Sequence, residues 1–170
     1  WIQIPTNITK SDTKIIDVEI DNSQNWKLKH LKMFQTLYGN TYREISFLTE
    51  LYNLEWKKLS DFNISFISNC CKFLGIDTCL KKSSDLNVDG KKSELLLNIC
   101  KDMNATEYLS TIGSKDYLEK DKGIFSNSDI KIKYHEYEHP NYKQRGNQFI
   151  SKLSILDLVF NEKNNAQKYF

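Results

Sequence analysis

Punctuation is scarce in this chain: two prolines and six glycines in 170 residues, with no low-complexity linker and no internal repeat. Little marks a domain boundary, so the expectation is one continuous domain over residues 1–170. At that length a domain buries about 68–70% of its unfolded surface, which supports a real core. No apolar run approaches the ~18 residues of a membrane span, so none is expected to cross a bilayer. One-sided charge is missing as well. The net charge is +2, with Lys, Asp and Glu interspersed, and this argues against a nucleic-acid partner. Pairs such as Lys57-Lys58 and Lys81-Lys82 read as solvated surface. The four cysteines, Cys70, Cys71, Cys79 and Cys100, contain no C-x-x-C pair and two of them are adjacent. That pattern suits neither a zinc cage nor a secreted disulfide framework, and reduced thiols in a cytoplasmic protein are expected. The chain also opens on "WIQIPT" without an initiator methionine or a signal peptide, as part of a longer polypeptide would.

What is present reads as strands and helices in succession. "WIQIPT" and "KIIDVEI" alternate like short strands around a polar turn at "NITKSD". "DNSQNWKLKHLKMFQTLYG" reads as a helix, with Asp21 or Ser23 as caps, Trp26, Leu31, Phe34 and Leu37 or Tyr38 on its apolar side, and Gly39 as its stop. A capping box at Thr41 and Glu44 opens a helix through Leu48, Leu51 and Tyr52. A longer helix runs from about Glu55 to Leu74, with Trp56, Leu59, Phe66, Ile67, Cys70 and Leu74 as its buried stripe. Then the order becomes strand, helix, strand, helix, strand: "DTCLKK", "KSELLLNICKDM", "TEYLS", "SKDYLEK" and "DIKIKYHEY". Such alternation predicts an α/β fold with a mostly parallel central sheet flanked by helices, and a helix-rich middle segment before it. Ligands of these sheets gather beyond the strands' carboxyl ends, here the loops "KSSDLNVDGKKSE" and "STIGSKDY".

Three stretches carry chemistry. "HEYEH", residues 135–139, matches the H-E-x-x-H zinc pattern, which requires a helix. The alternation of Ile130, Ile132 and Tyr134 with Lys131, Lys133 and His135 predicts a strand instead. Two strand residues four apart stand roughly 13 Å from one another at about 3.3 Å per residue, so His135 and His139 do not share a zinc ion, and a zinc hydrolase is the least favoured function. No metal and no cofactor are expected. In "DGKKSELLL" the spacing is not that of a Walker loop. Even so, Lys91 and Lys92 ahead of Ser93 oppose the helix dipole unless an anion sits there, so the alternatives are plain surface charge and a bound phosphate or carboxylate. At "YLSTIGSKDYL" a strand ends at Ser110, Gly113 permits a tight turn, and Ser114 either caps the next helix or, with outward N–H groups, forms an anion nest, with Asp116 completing the first turn.

The blocks "DVEIDNSQNWKLKHLKMF", "SSDLNVDGKKSELLLNICKDMNATEYLSTIGSKDYL" and "YEHPNYKQRGNQFISKLSILDLVFN" resemble, in order and at the expected spacing, those of the WbqC-like family of bacterial proteins associated with O-antigen and other surface-polysaccharide gene clusters. The resemblance implies transfer of glycine or another aminoacyl group to a sugar. The family's opening His-Gln-Pro-x-Tyr-x-Pro-Trp motif does not occur ahead of "WIQIP", so the chain resembles a member lacking its first strand and that motif. Carried over by position, the resemblance points to Asp21, Asn22, Trp26 and His30; to Asn87, Gly90, Lys91, Lys92 and Ser93; to Ser110, Gly113, Ser114, Asp116 and Tyr117; and to His139, Pro140 and Tyr142.

From their chemistry follows an expectation of mechanism. His139 is the candidate base, the Gly113–Ser114 backbone the candidate oxyanion donor, and Lys91 or Lys92 the holder of a phosphate on an activated acyl donor or a nucleotide-sugar. Both loops would then meet at one pocket rim beside His139. His30, in a lysine-flanked helix, reads as a surface histidine, and Asp157 as closing a capping box with Ser154. A non-catalytic component that binds sugar-nucleotide or phosphate is the alternative function.

Overall fold

The computed structural model describes residues 2–8 and 10–170, apart from the side chain of Lys122. Trp1 of the expected first strand and Thr9 of the expected turn lie outside the described residues. The chain separates into two compact units, one formed by Trp1–Thr78 with His139–Phe170 and the other by Cys79–Glu138.

The first unit is helical. Its expected opening hairpin shrinks to single antiparallel bridges, Thr6 with Ile20 and Glu19 with Lys58. Only Val18 and Ile20 of "KIIDVEI" are buried; Ile15 and Ile16 lie exposed in a 3-10 turn over Ile15–Asp17. The first helix, α1 (Trp26–Tyr38), ends at Gly39, whose φ of 66° and N–H bond to the Gln35 carbonyl at 2.9 Å make the expected stop. Neither Asp21 nor Ser23 caps it. Asp21 instead accepts from the Ser23 backbone and hydroxyl and from the Gln24 amide, which lower its pKa from 3.8.

Thr41–Glu44 forms a 3-10 turn without the expected capping box, and Glu44 pairs with Lys163. Then α2 (Ser46–Asn53) buries Phe47, Leu48, Leu51 and Tyr52. Residues 55–58 are not helical. They pair with the extended segment before α1, the Ile20 N–H reaching Lys57 O at 2.9 Å and the Leu59 N–H reaching Val18 O at 3.0 Å, so α3 starts at Leu59 and runs to Phe73. Tertiary pairing here overrides helix propensity. Phe62, Cys70 and Leu74 are buried, whereas Ile67 of the expected stripe is exposed.

The unit's core is an aromatic cluster in which Trp26, Phe34, Tyr42, Tyr52, Phe62 and Phe160 are all buried. A late helix, α7 (Ile155–Glu162), completes it with Leu156, Leu158, Val159 and Phe160 and is followed by a 3-10 stretch over Lys163–Tyr169.

In the second unit, β1 (Glu107–Thr111) pairs in parallel with β2 (Lys131–His135), Tyr108 opposite Ile132 and Ser110 opposite Tyr134. The helices α4 (Ser93–Asp102), α5 (Lys115–Lys120) and α6 (Lys122–Ser126) flank this sheet, and Leu97, Cys100, Leu118, Phe125 and Ile130 form the core between them. The fold is α/β. Its sheet has two strands among the described residues, because "DTCLKK", expected as a third, is exposed throughout and has no apolar face to bury.

All four cysteines are free thiols; burial pushes Cys70 up to about 12 and raises Cys100. No helix among the described residues is long and apolar enough to cross a membrane.

The loop entering α4 depends on Gly90. Its φ is 126°, and a Cβ there would lie 3.0 Å from the Leu95 nitrogen and 3.1 Å from the Glu94 Cγ. The closest of these is backbone and cannot yield. Gly90→Ala is expected to destabilise the second unit by about 1–3 kcal/mol, seen as faster hydrogen exchange at α4 and β1 with the first unit's amides unchanged.

Candidate functional site

The third block of the sequence builds a polar centre in the first unit. Ser154 caps α7 as expected, its hydroxyl accepting from the Leu156 N–H at 3.3 Å. Asp157 does not close the box. It turns into the protein, is only 6% exposed, and accepts from the Tyr38 hydroxyl at 2.6 Å, the Tyr142 hydroxyl at 2.8 Å and the Gln144 amide at 3.0 Å. Burial and the Asp157 carboxylate raise the Tyr38 pKa above its usual value, so the phenol stays a donor.

Tyr142 in turn walls His139. Their rings lie 5.9 Å apart, and Phe149 meets the imidazole edge-on at 5.7 Å. The His139 Nδ1 stands 2.9 Å from the Pro140 carbonyl. A carbonyl only accepts, so Nδ1 carries the proton and the lone pair of the neutral ring falls on Nε2. Among the expected site residues, His139 and Tyr142 are thus brought together. Gln144 was not anticipated, and Asp157 was expected only as a capping residue. The signal for Asp157 is its place between Leu156 and Leu158 in an otherwise apolar run.

Next to this centre lies a cavity of about 580 Å³ walled by Tyr38, Lys143, Gln144, Arg145 and Lys163 among others. Two of its three cations serve helix ends: Arg145 donates to the Leu37 carbonyl at the end of α1 at 2.7 Å, and Lys163 caps α7 through its backbone N–H while its side chain pairs with Glu44. Both are placed where helix dipoles favour positive charge.

The first block builds a second feature of the same unit. His30 is 5% exposed, not a surface residue. Trp26, His30 and Phe34 follow each other at intervals of four on α1, so the lysines flanking His30 face outward while the imidazole faces the core. Its Nε2 donates to the Gln3 carbonyl at 3.0 Å, and its Nδ1 then accepts from the Tyr52 hydroxyl at 2.9 Å. Asn22 supports the arrangement, accepting from the Trp26 indole and donating to the Trp56 carbonyl. Together with residues 2–6 and the start of α3, Trp26 and His30 line a cleft of about 740 Å³.

Burial lowers the His30 pKa from 6.5, outweighing the opposite pull of the Gln3 bond. In the window below pH 6.5 the unfolded chain therefore binds more protons than the folded one. Stability is full above that value and is lost as the pH falls through the lowered folded pKa. Glu19 and Asp21, lowered from 4.5 and 3.8, act further down the scale. Urea midpoints compared between pH 8 and pH 5 should show this loss, and His30→Gln should flatten it.

In the second unit Lys91, Lys92 and Asn87 are exposed, but Ser93 is fully buried and donates to the Asp121 carboxylate at 2.7 Å. The α4 entrance thus has a carboxylate of its own. Lys92, with φ of 51°, lines a cavity of about 560 Å³ with Tyr117, Lys120 and Asp121. Ser110 is buried in β1, and Asp116 and Tyr117 are exposed on α5. Gly113 has no positive φ, so its turn does not require glycine. Ser114 makes no side-chain cap of α5; its hydroxyl lies 3.1 Å from that of Thr111.

Of "HEYEH", His135 ends β2 and His139 follows outside it, so the helix that the zinc motif requires is absent there.

A family model described as the WbqC-like protein family matches residues 1–169. Among curated relatives, Uncharacterized protein Rv1507c of Mycobacterium tuberculosis is 31% identical over 175 residues, covering 99% of this chain and 74% of that protein. No solved structure matches.

Proposed function

The chain belongs to the WbqC-like protein family, and on that premise we propose that it is a transferase of surface-polysaccharide assembly, moving an aminoacyl or other acyl group from an activated donor to a sugar. The observation that carries this reading is the His139 centre: an imidazole held by the Pro140 carbonyl, walled by Tyr142 and Phe149, and backed by a buried carboxylate that fixes Tyr142.

In the proposed step the lone pair on His139 Nε2 takes the proton of an acceptor hydroxyl or amine as that group attacks the acyl carbon. A carbon–oxygen or carbon–nitrogen bond forms, the bond from the acyl carbon to the donor's phosphate-bearing leaving group breaks, and the proton passes from His139 to that leaving group. Tyr142, Asp157 and Gln144 position the ring. The test is the surface glycan of a strain carrying His139→Ala.

A second reading has its own support. The cavity in the second unit offers Lys92 and Lys120 to a phosphate-bearing ligand, while the Asp121 carboxylate in the same wall accepts from Ser93, so a sugar-nucleotide-binding component without turnover is the alternative. It expects nucleotide-sugar binding weakened by Lys92→Ala and a glycan indifferent to His139→Ala.

A further inference from the structure

We propose that the cleft along α1 in the first unit binds an uncharged saccharide ring. Its volume of about 740 Å³ lies within the range of small-molecule sites. The walls combine two kinds of surface. Ile4, Pro5 and Met33 supply apolar contact, while Gln24, Lys29 and Asn63 supply polar ends. A sugar presents the same combination, with C–H faces above and below the ring and hydroxyls around its edge.

Charge narrows the ligand further. Among the described residues no Asp or Glu lines the cleft, and the Asp21 carboxylate beyond Gln24 is taken up by Ser23 and Gln24, so a cationic amine finds no open counter-charge, and a single lysine is a poor match for a phosphate. His30 adds no charge, since its two nitrogens are committed to Gln3 and Tyr52 in the neutral form.

The polar ends are available. Among the described residues neither Lys29 nor Asn63 uses its side chain in a protein hydrogen bond, and Gln24 spends only its amide nitrogen, on Asp21, leaving its oxygen as an acceptor. The wall formed by residues 2–6 is also fixed in place: the Gln3 carbonyl on His30, the Pro5 carbonyl on the Asp21 N–H at 2.9 Å, and Thr6 bridged to Ile20. A wall ordered before binding removes part of the entropic cost of association.

The binding does not rest on the transferase reading of the His139 centre, since His139 is not among the described residues that line this cleft. The experiment is a titration of the ¹⁵N-labelled chain with glucose, galactose, rhamnose and N-acetylglucosamine, alongside glucosamine and glucose 6-phosphate as charged versions of one ring. At least one neutral sugar should shift the amides of residues 2–6, 29, 33 and 63 in a saturable way. Its affinity should fall about fivefold in Asn63→Ala and in Gln24→Ala, each the loss of one hydrogen bond, with the spectrum otherwise unchanged. The charged sugars should bind about tenfold more weakly or not at all.

Shifts confined to other residues, tighter binding of glucosamine or glucose 6-phosphate, or no response to any neutral sugar would each overturn the assignment. Since His139→Ala reads out on the glycan and this titration on the cleft, either idea can fail without the other.

Discussion

Replacing Asp157 with alanine is expected to lower the stability of the first unit by about 3–5 kcal/mol, the usual cost of removing one member of a buried polar network; the three hydrogen bonds this carboxylate receives share one network and do not add. It holds Tyr38 from α1 and Tyr142 and Gln144 from the segment before α7, so it fastens elements distant in sequence. Once it is gone, the buried Tyr142 hydroxyl loses the carboxylate to which it donates. Asp157→Asn should cost less, since the amide keeps one acceptor oxygen but sets an N–H₂ group against donors. Urea unfolding measures both. An Asp157→Ala protein within 0.5 kcal/mol of the parent, well below the roughly 1 kcal/mol of a single net hydrogen bond, would mean that the three bonds do not form.

The second large effect is chemical. His139→Ala is expected to reduce transfer by at least about 100-fold, the lower end of what a positioned base contributes, while leaving stability within about 1 kcal/mol, because the ring is half-buried at the edge of the core. His139→Gln tests the role further. Its amide can occupy the site and still donate to the Pro140 carbonyl, but it does not accept a proton near neutral pH. A glutamine variant as inactive as alanine identifies the lost function as proton transfer; recovery with glutamine would make His139 a positioning residue.

The apolar periodicities in the sequence located α1 to α4 and side-chain alternation located β2, because in each case one face is buried and its spacing shows; β1 was located by the succession of strand-like and helix-like segments. Where a segment's structure depends on its partner, the pattern misled. Residues 55–58 have helical neighbours yet pair as an extended segment with 18–20. "DTCLKK" has strand-forming residues but is exposed along its length and joins no sheet among the described residues.

The two side chains misread most seriously were polar ones in buried rows. His30 completes the line from Trp26 to Phe34, and Asp157 breaks an apolar helix. Flanking lysines and a capping pattern gave each a surface role. The polarity of a side chain says nothing about which way its helix turns it; the apolar neighbours four residues away do. Conversely, His139, Tyr142, Trp26 and His30 were singled out by family resemblance, and the structure gathers them in pairs: His139 with Tyr142 at the Asp157 centre, and Trp26 with His30 at the cleft.

Mass spectrometry of the surface polysaccharide decides most directly whether His139 performs the proposed transfer. In a strain whose only copy of the protein carries His139→Ala, the glycan is expected to lack the same substituent as in the deletion strain, with the variant present at parental abundance and unfolding at the parental urea concentration. A variant glycan that matches the parent, substituent intact, would contradict it.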